Sequence, residues 1–152
     1  MLYSVKITAE DGEIIEIGKD GEEKEQHAIT EVTIHMDTVN NDVSNKSNAM
    51  LAKIKICGAI SFDDYGSELL KIFNWSKELK SDKWYRSIEI KIKEDMDNTY
   101  RTYEFEKVFV VDYLEIYKTE NDSKQDASND DKTHFELYLT QQENNLKNIK
   151  AY

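Results

Sequence analysis

The stretch Arg86 to Lys118, RSIEIKIKEDMDNTYRTYEFEKVFVVDYLEIYK, constrains this chain more than any other. Ile88, Ile90 and Ile92 alternate with Glu89, Lys91 and Lys93, the period-2 pattern of a strand with one wet face. Asp95, Asp97 and Asn98 then interrupt it; such side chains bond their own backbone and favour turns. From Tyr100 the chain is extended again and rich in aromatic and β-branched residues. Here the alternation fails, because Val108, Phe109, Val110 and Val111 put apolar groups on both faces. A strand apolar on both faces is expected to be covered on both, by its own core and by something else. What that second surface is becomes the functional question.

The chain has 152 residues and no evident linker, which implies one domain over 1–152, large enough for a real core. Thirty-one acidic against 20 basic residues give a net charge of -11. That balance argues against stable nucleic-acid binding, since phosphate affinity rests on Lys and Arg. A single cysteine, Cys57, excludes an internal disulfide and a cysteine-based metal cluster. No apolar run approaches the roughly 18 to 20 residues of a membrane span, and MLYSVKITAEDG lacks the basic start and apolar centre of a signal peptide. The expectation is synthesis in the cytoplasm, no membrane insertion, and any exit without a signal peptide. The chain has no proline and only 5 glycines, so its turns rely on Asp, Asn and Ser, which favours longer strands than a many-turned immunoglobulin-like sandwich.

Leu2 to Ala9 reads as a strand with Tyr3, Val5, Ile7 and Ala9 on one face. Asp11-Gly12 is a hairpin turn signal, and Ile14 to Ile17 the return strand. Residues 18–26, GKDGEEKEQ, read as a polar loop without packing content. His27 to Asp37 alternates as a strand, and so does Met50 to Ile60. Between them lies the projecting loop 38–48, longer than the 2 to 5 residues usual in hairpins. The period shifts to helical after Ser61: Leu69, Leu70, Ile72, Phe73 and Leu79 predict a helix over about 63–80, with Ser61 or Asp63 as cap and Lys71, Lys77 and Lys80 toward its negative end. Residues 118–132 form a polar loop, and Phe135, Leu137 and Leu139 a closing strand. The tail 141–152 is a short helix or a polar extension. Seven to eight strands and one flanking helix predict a mainly β fold, a single β-barrel or closed β-sandwich.

The chemistry-bearing residues do not assemble into a site along the sequence. His27 and His35 share a strand face but lie roughly 26 Å apart at about 3.3 Å per residue, and Glu31 is about 13 Å from each. The three histidines therefore read as ordinary polar surface residues and no metal site is expected. There is no G-x-S-x-G elbow and no phosphate-cradling glycine loop. Cys57 reads as a structural thiol. Carboxylates are abundant, which leaves a glycosidase-like pair open by residue type, but most fall in polar loops or on wet strand faces. Tyr100, Tyr103, Phe105, Phe109, Tyr113 and Tyr117 recur at strand spacing and read as core or interface before sugar site. Neither a catalytic residue nor a cofactor is assigned.

From Met50 to Thr140 the order of elements resembles the tail-tube family, the hemolysin-coregulated tube protein of type VI secretion and the tube proteins of contractile phage tails and bacteriocins. The similar parts are FDDYGSELLKIFNWSKELKSDKWY with its helix, the long hairpin after it, a variable polar loop, and HFELYLTQQ. The resemblance implies a β-barrel subunit that closes into a ring with copies of itself, commonly a hexamer, with rings stacked into a hollow tube. It implies sheath, baseplate or spike proteins and passing effectors as partners. The ring-stacking loop would be carried by Val39, Asn40, Asp42, Val43, Asn45 and Lys46. The lateral subunit interface would be carried by Val108, Val110, Val111, Tyr113 and Tyr117. The readings from other classes are a carbohydrate- or protein-binding β-sandwich and a hydrolase with a carboxylate pair.

Overall fold

A computed structural model describes residues 1–19, 21–38, 50–119, 133–141 and 148–152. The strands are β1 (Leu2–Ala9), β2 (Ile14–Ile17), β3 (Ile29–Thr38), β4 (Met50–Ala59), β5 (Arg86–Lys93), β6 (Thr99–Ile116), β7 (His134–Gln141) and β8 (Lys150–Ala151), with one helix, α1 (Gly66–Ser76), between β4 and β5. All pair antiparallel in one sheet of order β2-β1-β5-β6-β7-β4-β3, with β8 added against β6. The fold is mainly β, as the alternation predicts. β1 lies against β3, but among the described residues no ladder joins the two ends of the order, so the sheet is not closed.

The longer strands send most of their apolar side chains inward. Val5, Ile7, Ile88 and Ile90 meet Ala52, Ile54, Ile56, Leu137 and Leu139 in one core. The turn at Asp11-Gly12 forms as expected, with the Asp11 carboxylate accepting the Glu13 amide at 2.9 Å. Residues 18–26 do carry packing, contrary to the sequence reading. Glu23–Glu25 is a turn of 3-10 helix that buries Glu25, and Gly18 is pressed so close that a Cβ would lie 2.2 Å from the Tyr3 carbonyl.

The helix is shorter than its periodicity implies. Residues 61–65 turn in place, with the Ser61 hydroxyl accepting the Asp64 amide at 3.3 Å and the Tyr65 hydroxyl donating to the Ala59 carbonyl at 2.7 Å. Past Ser76 the chain winds into a connector, where the Trp84 indole donates to the Glu78 carbonyl at 2.6 Å. Lys77 and Lys80 therefore lie beyond the helix, and Lys71 pairs with Glu68 at 2.9 Å. Leu69, Ile72 and Trp75 face the core, worth roughly 1.5–3 kcal/mol for each aliphatic side chain fully buried. Leu70, Phe73 and Leu79 are exposed. Arg86 locks this corner: its guanidinium lies 5.0 Å over the Trp75 ring and 3.0 Å from the Glu13 carboxylate.

Of the tail, residues 148–152 are described, and their end is a strand. Lys150 and Ala151 pair with Glu104 and Tyr103, and Tyr152 and Thr102 exchange backbone hydrogen bonds at 2.6 and 2.9 Å.

Candidate assembly surfaces

The 18 residues of β6 explain the failed alternation. From Thr99 to Val108 it pairs with β5, and from Val108 to Ile116 with β7. Its ladders contain three irregularities, one at Tyr100 near its start and two that flank the valines. The first of these two falls at Glu106-Lys107, where Lys107 takes φ 57, uncommon for a residue with a Cβ. Phe105 and Val108, three apart, therefore both point into the core, while the Gln141 amide donates to the Glu106 carbonyl at 2.9 Å. The second falls at Val111, an extra residue between Val110, opposite Leu139, and Asp112, opposite Tyr138. A bulge of this kind leaves one residue unpaired and bends the strand.

The five residues named as lateral contacts separate accordingly. Val108 is 0% exposed and belongs to the chain's own core, so it offers nothing to a second surface. This corrects the reading of Val108–Val111 as a uniformly two-faced run: Val108 lies in the chain's own core, and Val111 is turned outward by the bulge. Val110 and Tyr113 are half-buried against the core, Tyr113 tilted at 6.4 Å from Phe135. Val111 is 52% exposed on the bulge, and Tyr117 is 57% exposed at the strand's end. Tyr117 stacks on Phe62 at 6.3 Å. The Tyr113 and Tyr117 hydroxyls both donate to Glu115, each at 3.1 Å. Burial raises both phenols above the usual tyrosine range, and the Glu115 carboxylate raises them further.

Around Val111 the outward side chains of β3, β4 and β7 form an open groove of about 310 Å³, lined by His35, Lys53, Lys55, Asp112, Tyr138 and Thr140 among others. Its two lysines are paired. Lys53 meets Asp37 at 2.7 Å and Lys55 meets Glu31 at 3.1 Å, with the Lys55 ammonium also 5.9 Å over the Tyr138 ring. The hydrogen bonds from these lysines hold the carboxyls of Asp37 and Glu31 below their ordinary values. Cys57, buried beside Glu31, donates to it at 3.5 Å; burial pushes the thiol up to about 12.

The six loop positions named for stacking, Val39 to Lys46, lie outside the described residues. Their base is described: Thr38 pairs with Met50 at the open end of the β3–β4 ladder. His27 and His35 are exposed, but His134 is buried, 4.0 Å from Glu136, which corrects its reading as a surface residue. Among the described residues no group of three His, Cys, Asp or Glu is placed to hold a metal ion, and no helix is long and apolar enough to cross a membrane.

Sequence reasoning missed Phe62, 72% exposed, and the outward pair Leu70 and Phe73. The signal was present in α1, where Leu69-Leu70 and Ile72-Phe73 carry more apolar width than one buried stripe takes.

Solved structures share this arrangement from end to end. The Hcp1 protein from the E. coli EAEC 042 pathovar aligns over 100% of this chain and 98% of its own, with a TM-score of 0.60 at 11% identity. The chain shares the Hcp fold. Another Hcp protein aligns over 99% and 95%, with a TM-score of 0.62 at 10% identity. A chain from the PVC sheath-tube complex, an extracellular contractile injection system, aligns over 97% and 87%, with a TM-score of 0.52 at 11% identity. No protein-family model matches the sequence, and no curated protein matches it. At these identities the likeness is one of fold, in line with a match of element order and not of motif. Among the described residues the exposed features include the Val111 bulge and the Phe62–Tyr117 pair, while β2 and β3 end the strand order, the outer edge of β2 being bonded to α1 through Glu68 and Lys71.

Proposed function

We propose that this chain is a structural subunit of a hollow tube in a contractile injection apparatus. Copies close into a ring, hexameric by analogy with the tube proteins, and rings stack into a delivery conduit. The observation that carries this reading is the two-way, full-length likeness to Hcp proteins, 99–100% of this chain and 95–98% of theirs. The role is non-catalytic and takes no cofactor.

The surfaces support a ring in physical terms. β3 ends the strand order with one hydrogen-bonded strand neighbour among the described residues, and an unpaired strand edge is a template for pairing with another chain. Ring contacts are head-to-tail, so the surfaces that meet are different ones. Val111, Leu114 and Tyr117 lie exposed along β6 and are the lateral contacts in this reading, with Val110 and Tyr113 behind them. Residues 39–48 provide the contact between rings. Sheath, baseplate and spike proteins and passing effectors complete the partner set, and the subunit is made in the cytoplasm before assembly into a particle.

Electron microscopy of concentrated purified protein tests the reading directly. Rings or tubes are the expected result; a strictly monomeric species at the highest attainable concentration overturns it. Deleting residues 39–48 is expected to leave the fold and single rings intact while abolishing stacking, because Thr38 and Met50 are already paired across the loop base.

A further inference from the structure

We infer that β8 is an exchangeable strand, which in the assembled protein pairs with β6 of a neighbouring copy. This rests on the tube reading above for the neighbour that supplies it. The argument begins with the length of β6. Its far edge is covered by β7 only from Val108 onward, so residues 99–107 on that edge would stand open without the tail. Tyr103 and Glu104 are covered by just two residues of β8, and Thr102 by Tyr152. An open edge beside a bulge invites pairing with another chain.

Among the described residues, backbone pairing and a few side-chain contacts hold the tail on that edge. Tyr152 and Thr102 exchange two backbone bonds, the Tyr152 hydroxyl donates to Glu104 at 2.9 Å, and Ile149 packs against the core rim. Lys150, Ala151 and Tyr152 are all exposed. The same segment from a second copy makes the same bonds with the same edge, so exchange changes few contacts, which makes strand swapping a low-cost route to association. Residues 142–147 join Gln141 to the paired segment, and six residues reach about 20 Å when extended. In dilute solution the intrachain pairing dominates, since a short connector gives an effective concentration on the order of mM. Neighbours held in a ring remove that advantage.

Cysteine cross-linking reads the exchange. Glu104 and Lys150 lie opposite each other in the ladder. They share the bonded register of the Thr102–Tyr152 pair, so their Cα atoms stand about 5.5 Å apart, inside the range a disulfide spans. Two variants, Glu104→Cys and Lys150→Cys, each also carrying Cys57→Ser and distinguishable by mass, are mixed at high concentration and oxidised. A covalent dimer containing one of each, well above the level either variant gives alone, is the expected result. A chain carrying both cysteines is expected to close its bond within itself when dilute. Absence of the mixed dimer while the double variant closes internally overturns the exchange, and so does failure of the double variant to close at all. Light scattering on the mixed sample reports assembly separately, so ring-sized particles with no mixed dimer sink the exchange and leave the tube reading standing.

Discussion

Neighbouring valines on β6 are expected to respond in opposite ways to the same substitution. Val108→Glu removes a fully buried side chain, roughly 1.5–3 kcal/mol of apolar burial. It also takes a carboxyl out of water at a buried site, opposite Arg86 and Gln141 in the ladders, and desolvation of that polar group adds roughly 1–3 kcal/mol. The sum is a large share of the roughly 5–15 kcal/mol that holds a domain together. At about 2–4 °C per kcal/mol for a chain of this size, the midpoint falls by about 10 °C or more. Val111→Glu changes a half-exposed residue on a bulge and is expected within about 0.5 kcal/mol of the parent. Val110→Glu falls between, because Val110 packs against the core rim. Thermal unfolding followed by circular dichroism separates the three, and sedimentation of each folded variant reads assembly. A folded Val111→Glu chain that forms no rings assigns Val111 to the lateral contact. The reasoning is refuted if Val108→Glu melts like the parent or if Val111→Glu unfolds.

Other expectations follow from local geometry. Gly58→Ala is expected to lower stability by about 1–3 kcal/mol or more in urea unfolding, since its Cβ would stand 2.2 Å from the Ala28 carbonyl and 2.7 Å from the Phe135 ring; an unchanged midpoint contradicts that packing. The Cys57 thiol, pushed up to about 12 and buried, is expected to resist a disulfide reagent at pH 8 until denaturant is added, because only the thiolate reacts. Rapid labelling of the native chain is the contrary result. Glu25 is held above its ordinary pKa by burial, then by Glu22 and Glu68, with Asp64 adding to the rise and Lys19 opposing it. The folded state therefore binds that proton more tightly than the unfolded one, and this contribution to stability falls as pH rises above the ordinary glutamate range. Glu25→Gln is expected to gain on the parent at pH 7 and to lose that advantage near pH 4; equal melting points at both pH values reject the assignment.

Most of the strands were legible because alternation is a local property. Ile88, Ile90 and Ile92, or Phe135, Leu137 and Leu139, declare a wet and a dry face within a few residues. The helix was legible as an element but not in its ends, since its length was settled by the Tyr65–Ala59 and Trp84–Glu78 bonds to groups outside it. The β8 pairing was hidden because Lys150-Ala151-Tyr152 carries no pattern, and its partner strand lies nearly fifty residues away. The assembly surfaces were half legible: the excess of apolar residues on β6 could be counted, but not apportioned.

What the amino-acid sequence determined alone is the class of the molecule, a mainly β chain with one helix, because side-chain period and turn chemistry act between near neighbours. Only the tertiary structure decided that Val108 belongs to the core and Val111 to the surface. That division depends on two irregularities, at Lys107 and at Val111, and each exists because β6 must follow β5 along one half and β7 along the other. A strand that serves two partners bends between them. The bend chooses which valines remain outside for another chain to find.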